Sequence, residues 1–167
     1  MKTIKPIIVI LALIVVIITI FSLLGKSQQM IVVYEGNAKR DSLKMTAGKF
    51  QCSECGMLIN DLNFASQVVA PSGKTWFFDD HGCMAVWLSA RPFKDEAIIW
   101  VKDLPSGQWI DGKLAWYSRT DQTPMSYGFG AYRTHQEGLV VFTDMQQAML
   151  RGETMANLSF RKQLLEQ

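Results

Sequence analysis

The residues of this 167-residue chain that are best suited to chemistry carry sulfur. Cys52 and Cys55 are three positions apart in the segment Cys-Ser-Glu-Cys-Gly-Met, so a tight turn can bring both thiolates onto one metal ion. Gly56 can adopt the left-handed backbone conformation that such a turn needs. Met57 adds a thioether, which Cu(I) accepts together with thiolates and which zinc seldom takes. This segment therefore predicts a site for a soft metal ion.

Two other segments add candidate ligands. His81 is a possible nitrogen donor, and the alternative is that it caps or solvates the start of a helix. Cys83 and Met84 follow it on the same predicted helix, and we expect them to pack in the core, because free cysteine and methionine pack as hydrophobic residues. Met125 lies in a loop between proline and glycine residues, where a methionine is not needed to fill a core. We therefore count Met125 as a candidate ligand.

The same residues permit two other kinds of site. The first alternative is a structural zinc ion held by a closed set of four ligands, which are Cys52, Cys55, His81 and Cys83. It uses all three cysteines and leaves Met57 and Met125 unexplained. The second is a thiol-disulfide oxidoreductase, which usually places its Cys-x-x-Cys at the start of a helix after a strand. Here Gly56 follows the second cysteine. No general acid-base pair is evident, so the sequence does not predict an enzyme.

Charge and composition exclude several classes of protein. The chain has 17 basic and 15 acidic residues, and three of the lysines lie in the first 26 residues, which contain no acid. Residues 27–167 therefore carry 14 basic residues against 15 acidic ones. A domain with this balance has no positive field to attract phosphates, so we do not expect it to bind nucleic acid. The chain also has 49% hydrophobic residues, which is too many for a disordered protein.

The N-terminal segment is predicted to be a membrane anchor. The run from Ile7 to Leu24 is apolar apart from Thr19 and Ser22. At about 1.5 Å per residue, a helix of this length nearly crosses a hydrocarbon core of about 30 Å. The apolar region of a cleaved signal peptide is shorter and ends at a small-x-small site, which is missing here. Lysines 2 and 5 before the run and Lys26 after it favour an N-terminus inside the cell and a domain outside.

The rest of the chain is predicted to be an α+β ectodomain of two ββαβ-like halves after a tether. We assign residues 1–26 to the anchor, 27–49 to the tether with a strand at 31–34, 50–102 to the first half and 103–167 to the second. In the first half we expect strands at 65–70, 75–78 and 97–101, and a helix at 81–89 that Asp79 or Asp80 caps. In the second half we expect strands at 113–118, 129–133 and 139–142, a helix at 144–151 capped by Asp144, and a helical tail at 153–167.

Several short motifs follow one another in a fixed order. They are Cys52-x-x-Cys55-Gly56-Met57, Trp76-Phe77-Phe78-Asp79-Asp80-x-Gly82-Cys83-Met84, Val101-Lys102-Asp103 with Trp109-Ile110-Asp111, Ala115-Trp116-Tyr117, Thr123-Pro124-Met125 and Gly130-Ala131-Tyr132. Their order and spacing resemble the NosL family, the accessory proteins of nitrous-oxide reductase. The resemblance covers residues 50–132, about half of the chain. The chain departs from the family pattern at Ser126, where glycine is usual, and in having a helix where many members have a lipid anchor.

The resemblance implies a small α+β protein that binds Cu(I) at the periplasmic face of the inner membrane. It implies a metallochaperone that passes Cu(I) toward nitrous-oxide reductase or a related copper enzyme, with an ABC-type transporter complex as a partner. Carried over by position, Cys55 and Met125 are the best copper ligands. Cys52 and Met57 come next, followed by His81. Residues 7–24 would then hold the domain at the membrane.

Overall fold

The N-terminal helix forms a unit of its own. The computed structural model describes residues 4–27 and 30–166, with side chains at residues 8–23, 25 and 30–166. Helix α1 runs from Ile4 to Ser27, and its side chains from Ile8 to Leu23 are all exposed. Within the described ranges, no helix has both the length and the hydropathy that a membrane span requires. The predicted anchor over residues 1–26 extends outside the described residues and stays a prediction.

The second unit begins at Ile31 and is built on a five-stranded antiparallel sheet. Its strands are β1 (Val33–Tyr34), β2 (Ser66–Val69), β3 (Thr75–Phe78), β4 (Ile98–Lys102) and β5 (Trp109–Asp111), in the order β1-β3-β2-β4-β5. All four residues of the central strand β2 are buried, because a neighbour lies on each side and both faces are covered. In the register of the sheet, Val68 lies opposite Trp76 on one side and Ile99 on the other. The predicted hairpin and the α+β class are confirmed.

Helix α2 (His81–Ser89) connects the hairpin to β4 and lies almost wholly inside the protein. Asp80 caps it, because its Oδ1 accepts a hydrogen bond from the Gly82 N–H at 2.8 Å. The helix packs on β2 and β3. Seven of its nine residues are buried, including Cys83, Met84 and Leu88. A helix covered on nearly every side needs no polar face, which explains why no charged residue occurs in it.

The second half differs from the predicted ββαβ pattern. A three-stranded sheet has β6 (Trp116–Tyr117) at its centre, with β7 (Ala131–Tyr132) and β8 (Val140–Val141) on either side. Helix α3 (Phe142–Leu150) packs on α2, and α4 (Leu158–Leu165) forms most of the predicted helical tail. Within residues 103–166 no strand follows α3, so the order from β5 onward is β-β-β-β-α-α. The sequence analysis predicts no strand at 109–111, where β5 forms and pairs with β4 through Trp100 and Asp111.

Helix α3 begins two residues before the predicted start. Its N-cap position is Val141, which has an extended backbone and makes no side-chain capping bond, so the chain passes directly from β8 into the helix. Asp144 therefore lies inside the first turn and does not cap the helix, contrary to the prediction. An acidic side chain at this position still interacts favourably with the positive end of the helix dipole.

Residues 31–49, which we predicted to be a tether, pack against the sheet of the second unit. The Asn37 side chain is buried and donates hydrogen bonds to the Asp41 carbonyl at 2.8 Å and to the Thr75 hydroxyl at 3.2 Å. The buried Gln67 amide bonds to both backbone groups of Leu43, at 2.9 and 2.8 Å. These polar contacts satisfy buried groups that would otherwise weaken the fold. The predicted strand in this segment is confirmed as β1.

The Asp103 carboxylate joins the loop after β4 to the end of β7. It is 5% exposed, and it accepts hydrogen bonds from the Arg133 N–H at 2.9 Å and from the Ser106 N–H and hydroxyl. Burial acts to raise the pKa of Asp103, but the bonds from Ser106 and Arg133 outweigh it and hold the pKa below the usual 3.8. The ionised form is therefore the one that the fold stabilises.

We expect Asp103→Ala to lower the free energy of unfolding by about 1–3 kcal/mol at neutral pH, because it removes the hydrogen bonds that the buried carboxylate accepts from Ser106 and Arg133. Since the pKa is lowered by folding, this contribution is fully present above pH 3.8 and is lost as the pH falls through the folded-state pKa. Thermal unfolding of both proteins between pH 7 and pH 3 tests this. The difference between their midpoints should shrink toward acid pH. A difference that stays constant with pH would contradict the role of the carboxylate.

Candidate metal centre

The segment that carries Cys52 and Cys55 forms a closed turn. The Gly56 N–H donates to the Cys52 carbonyl at 3.0 Å, and the Cys52 N–H donates to the Met57 carbonyl at 2.8 Å. Gly56 has a φ of 76°, which is the left-handed conformation expected of it. The Gln51 side chain donates to the Gly56 carbonyl at 2.6 Å and holds the turn from outside. The turn therefore places both cysteines on one site, as the spacing predicts.

Ser53 fixes this turn to the large sheet. Its N–H donates to the Phe77 carbonyl at 2.8 Å, and its hydroxyl donates to the Val32 carbonyl at 3.0 Å. The Phe77 N–H in turn donates to the Ser53 hydroxyl at 3.4 Å. These bonds hold the cysteine turn beside the end of β3, which is the point where the chain leaves the sheet and enters α2. The first turn of α2 carries the third cysteine.

Three thiols and one carboxylate meet at this point. The ligand atoms of Cys52, Cys55, Asp79 and Cys83 all lie within 4.8 Å of one another, a group that could hold a metal ion. The Cys55 thiol donates to the two Asp79 carboxylate oxygens, with S···O distances of 3.6 and 3.7 Å. Cys52 and Cys83 are buried, whereas Cys55 is exposed, so the group is open on one side. All three thiols are free of disulfides.

The three thiols differ in their readiness to ionise. A hydrogen bond from the Cys83 thiol, together with backbone amides of Cys55 and Asp79, outweighs burial and lowers the pKa of Cys52 to about 7. Burial and the neighbouring charges on Cys52 and Asp79 raise the pKa of Cys55 to about 11. The pKa of Cys83 is raised because it donates to Cys52 and is buried. Without metal, Cys52 is thus the thiol that ionises first, and a metal ion bound to all three displaces the other protons.

His81 is not part of this converging group. Its ring is fully buried and meets Tyr117 edge-on, with 5.8 Å between ring centroids. Neither ring nitrogen has a hydrogen-bond partner among the described residues. Burial lowers the pKa of His81 to about 3, so the ring is neutral. The zinc alternative names His81 as the fourth ligand beside the three cysteines. In the structure Asp79 occupies that place instead.

The two candidate methionines lie on different parts of the site. Met57 directly follows the cysteine turn and is 43% exposed. Met125 is half-buried, and its N–H donates to Asp80 Oδ2 at 3.1 Å. Because Asp80 Oδ1 caps α2, this one carboxylate joins the start of the cysteine-bearing helix to the Met125 loop. That either sulfur binds the metal stays a prediction.

Ser126 stands where the NosL family, which the sequence resembles, usually has glycine. It keeps the backbone conformation that favours glycine. Its φ is 57°, which is left-handed. The loop is held around it by Thr123, whose hydroxyl accepts from the Tyr127 N–H at 3.0 Å and from the Gly128 N–H at 3.3 Å. A residue other than glycine in this conformation costs about 1–2 kcal/mol. The Thr123 bonds fix the loop in spite of that cost.

An open pocket of about 530 Å³ lies beside the cluster of Cys52, Cys55, Asp79 and Cys83, which we call the thiol group. Its lining residues are Met57, Leu58, Asn60, Asp61, Asp79, Gln122, Thr123, Pro124 and Ser126. The pocket therefore combines the segment after the cysteine turn with the Met125 loop, and two candidate metal ligands, Met57 and Asp79, line it. It offers a route from solvent to the side of the group that Asp79 occupies.

Sequence reasoning gave too little weight to Cys83 and Asp79. We placed Cys83 in the core, and it is 1% exposed, but its thiol also faces the other two. Both Asp79 and Asp80 were candidate caps, and Asp80 takes that role alone. The sequence signal that points to Asp79 is that a helix has only one N-cap residue. Of two adjacent acids after a strand, the second caps the helix and the first is free to bind elsewhere.

No protein-family model matches the chain, and no curated protein matches it either. The chemistry of the site therefore has to be argued from its own residues.

Proposed function

We propose that this protein is a membrane-anchored periplasmic Cu(I)-binding accessory protein that delivers copper to a copper enzyme. The observation that carries the proposal is the meeting of Cys52, Cys55 and Cys83 at one point. Thiolates are soft ligands, and Cu(I) accepts two or three of them. Met57, next to the turn and exposed, can add a thioether. The thiols already lie close enough together for one ion to contact all three.

The exposed position of Cys55 suits a transfer site better than a storage site. Two ligands, Cys52 and Cys83, are buried and hold the ion from the protein side. The third is exposed, so a thiol, thioether or imidazole of an acceptor can approach the ion before Cys55 leaves it. No acid-base step is needed, which is why we propose a carrier and not an enzyme.

The membrane location and the partners complete the proposal. The proposed anchor in the inner membrane rests on the apolar run of residues 7–24 in the sequence. The resemblance to the NosL family suggests nitrous-oxide reductase or a related enzyme as the client, and an ABC-type transporter complex as a further partner.

A structural zinc site is the second candidate, and the position of Asp79 favours it. Three cysteines and a carboxylate that lie within 4.8 Å of one another form a set of four ligands, the number that structural zinc uses. In this alternative Asp79 is a direct ligand. In the Cu(I) proposal the three sulfurs suffice, and a carboxylate oxygen is a poor ligand for that ion.

Metal analysis of the full chain decides between the two ions. The reduced protein in an uncharged detergent is offered Cu(I) and zinc together. We expect one Cu(I) per chain. Met57→Leu and Met125→Leu each remove a proposed thioether ligand and should lower the Cu(I) affinity about 10-fold or more, because even changes outside the ligand sphere cost about 10–100-fold. Met145→Leu is the matched control, since Met145 is fully buried in the core.

The zinc alternative makes the opposite prediction. One zinc per chain that is lost in Asp79→Asn and is indifferent to both Met57→Leu and Met125→Leu would overturn the Cu(I) proposal. Retention of Cu(I) in Asp79→Asn would support it, because the carboxylate would then be dispensable.

A further inference from the structure

The pocket beside the thiol group is acidic. Asp61 and Asp79 both line it, and none of its nine described lining residues is Lys, Arg or His. Asp61 is exposed, and its Oδ1 accepts the Asn63 N–H at 2.9 Å, which fixes the carboxylate at the mouth. Glu54, in the cysteine turn, is also exposed. A molecule that enters this pocket therefore meets negative charge with no nearby basic side chain in the lining to offset it.

The mouth of the same pocket is also apolar. Met57 is 43% exposed and Leu58 is 37% exposed, and Pro124 is exposed on the opposite segment. Exposed apolar side chains beside a polar pocket are typical of a surface that a protein partner covers. A pocket of about 530 Å³ is large enough for a few side chains of such a partner.

These two properties select among the possible acceptors of the metal. Small thiol carriers of the glutathione type bear carboxylates, so the acidic pocket repels them. A segment with lysine or arginine beside a sulfur donor is attracted by Asp61 and Asp79 and brings its sulfur toward the thiol group. The exposed apolar side chains then bury against the same segment.

We infer that the pocket lined by Met57–Asp61 and the Met125 loop receives a cationic, methionine-bearing segment of the protein that accepts the metal. This inference rests on the proposed function. In the transfer, a bond forms between Cu(I) and the acceptor thioether as the bond to Cys55 breaks, and the bonds to Cys52 and Cys83 then break as further donor atoms of the acceptor replace them. Copper stays Cu(I) throughout, and the released Cys55 thiolate takes up a proton from water.

The test uses the full chain in uncharged detergent and two synthetic peptides of equal length. Both carry the same methionine, flanked in one by lysines and in the other by glutamates. At low salt we expect the lysine peptide to remove Cu(I) at least about 10-fold faster in stopped-flow measurements, with the advantage shrinking as salt rises. Asp61→Asn should reduce that advantage several-fold. It keeps the oxygen that accepts from Asn63, so the loop is preserved.

Asp95→Asn is the matched control, because Asp95 is an exposed carboxylate that lines a different pocket. It should leave the advantage of the lysine peptide unchanged. Equal rates for the two peptides, or an Asp61→Asn protein that behaves like the wild type, would overturn the inference.

A metal-free arm separates this inference from the proposed function. The lysine peptide is added to the reduced apoprotein, and backbone NMR shifts are followed. Shifts concentrated at residues 57–61 and 122–126 support the pocket, and their absence overturns it. A chain that binds no Cu(I) would overturn the proposed function, and the apoprotein arm would still decide whether the pocket receives a cationic segment.

Discussion

Replacing Cys83 with serine is expected to weaken Cu(I) binding by more than about 100-fold. Changes outside the ligand sphere alone cost about 10–100-fold, and this substitution removes a direct sulfur ligand. The hydroxyl that replaces it is a poor partner for a soft ion. Competition with a coloured Cu(I) chelator measures the affinity of the full chain.

Met84→Leu is the control for this substitution. Met84 is the next residue on α2, is fully buried and carries sulfur, but it is not a member of the thiol group. Its replacement should leave the Cu(I) affinity within a few-fold of the wild type. Thermal unfolding of both variants shows whether the fold is intact. A folded Cys83→Ser protein with wild-type affinity would return Cys83 to a role in packing alone and leave the metal to the Cys52–Met57 turn.

Asp80→Ala should have the largest effect on stability, lowering the free energy of unfolding by about 2–4 kcal/mol. Loss of an N-cap costs about 0.5–2 kcal/mol. The second part comes from the half-buried Met125 N–H, which loses its charged acceptor, at about 1–3 kcal/mol. Burial raises the pKa of Asp80, so part of the gain from these bonds already offsets the burial of the carboxyl group. Chemical denaturation of the full chain in detergent, followed by tryptophan fluorescence, measures the change.

Two further variants identify the cause. Asp80→Asn keeps one oxygen, so it can still cap α2 but cannot accept from both Gly82 and Met125. Its stability should lie between that of the wild type and that of Asp80→Ala. Asp144→Ala is the matched control. Asp144 is exposed in the first turn of α3 and makes no capping bond, so its removal should change stability by at most about 0.5 kcal/mol. An Asp80→Ala protein as stable as the wild type would show that neither bond contributes.

Signals in the local sequence were sufficient to predict the helix and the hairpin around the site. Helix α2 has the predicted bounds, because a capping aspartate precedes it and Arg91-Pro92 follows it. The β2–β3 hairpin was also predictable, since two apolar runs flank a Pro-Ser-Gly-Lys turn. In each case the residues that define the element lie within it or next to it.

The second half was harder to predict because its strands are set by partners distant in the chain. Strands β6, β7 and β8 have two residues each, and no periodicity can be recognised over so short a length. Strand β5 forms because β4 offers an edge with which it can pair. Such strands are products of the folded sheet, and the sequence around Trp109 carries no signal that separates them from loop.

The site was predictable only in part for the same reason. The turn with Cys52 and Cys55 is local, and its spacing indicated a metal site. The contribution of Cys83 depends on how α2 packs against the turn, which Ser53 fixes through the sheet. From sequence alone, a cysteine on an apolar helix cannot be distinguished from an ordinary core residue. For His81 the adjacent position in sequence was misleading, because its ring points into the core beside Tyr117.

In the proposed function, the distribution of the thiol group over a turn, a strand end and a helix makes metal supply a determinant of how long the protein survives. An unfolded chain offers at most the Cys52–Cys55 pair to an ion, whereas the folded chain offers three thiols. An ion that binds the folded form alone stabilises it by mass action, by about 2.7 kcal/mol when its free concentration is 100 times Kd. Metal starvation would therefore enlarge the unfolded population and expose it to proteases. The amount of folded protein would then follow the supply of the proposed ion.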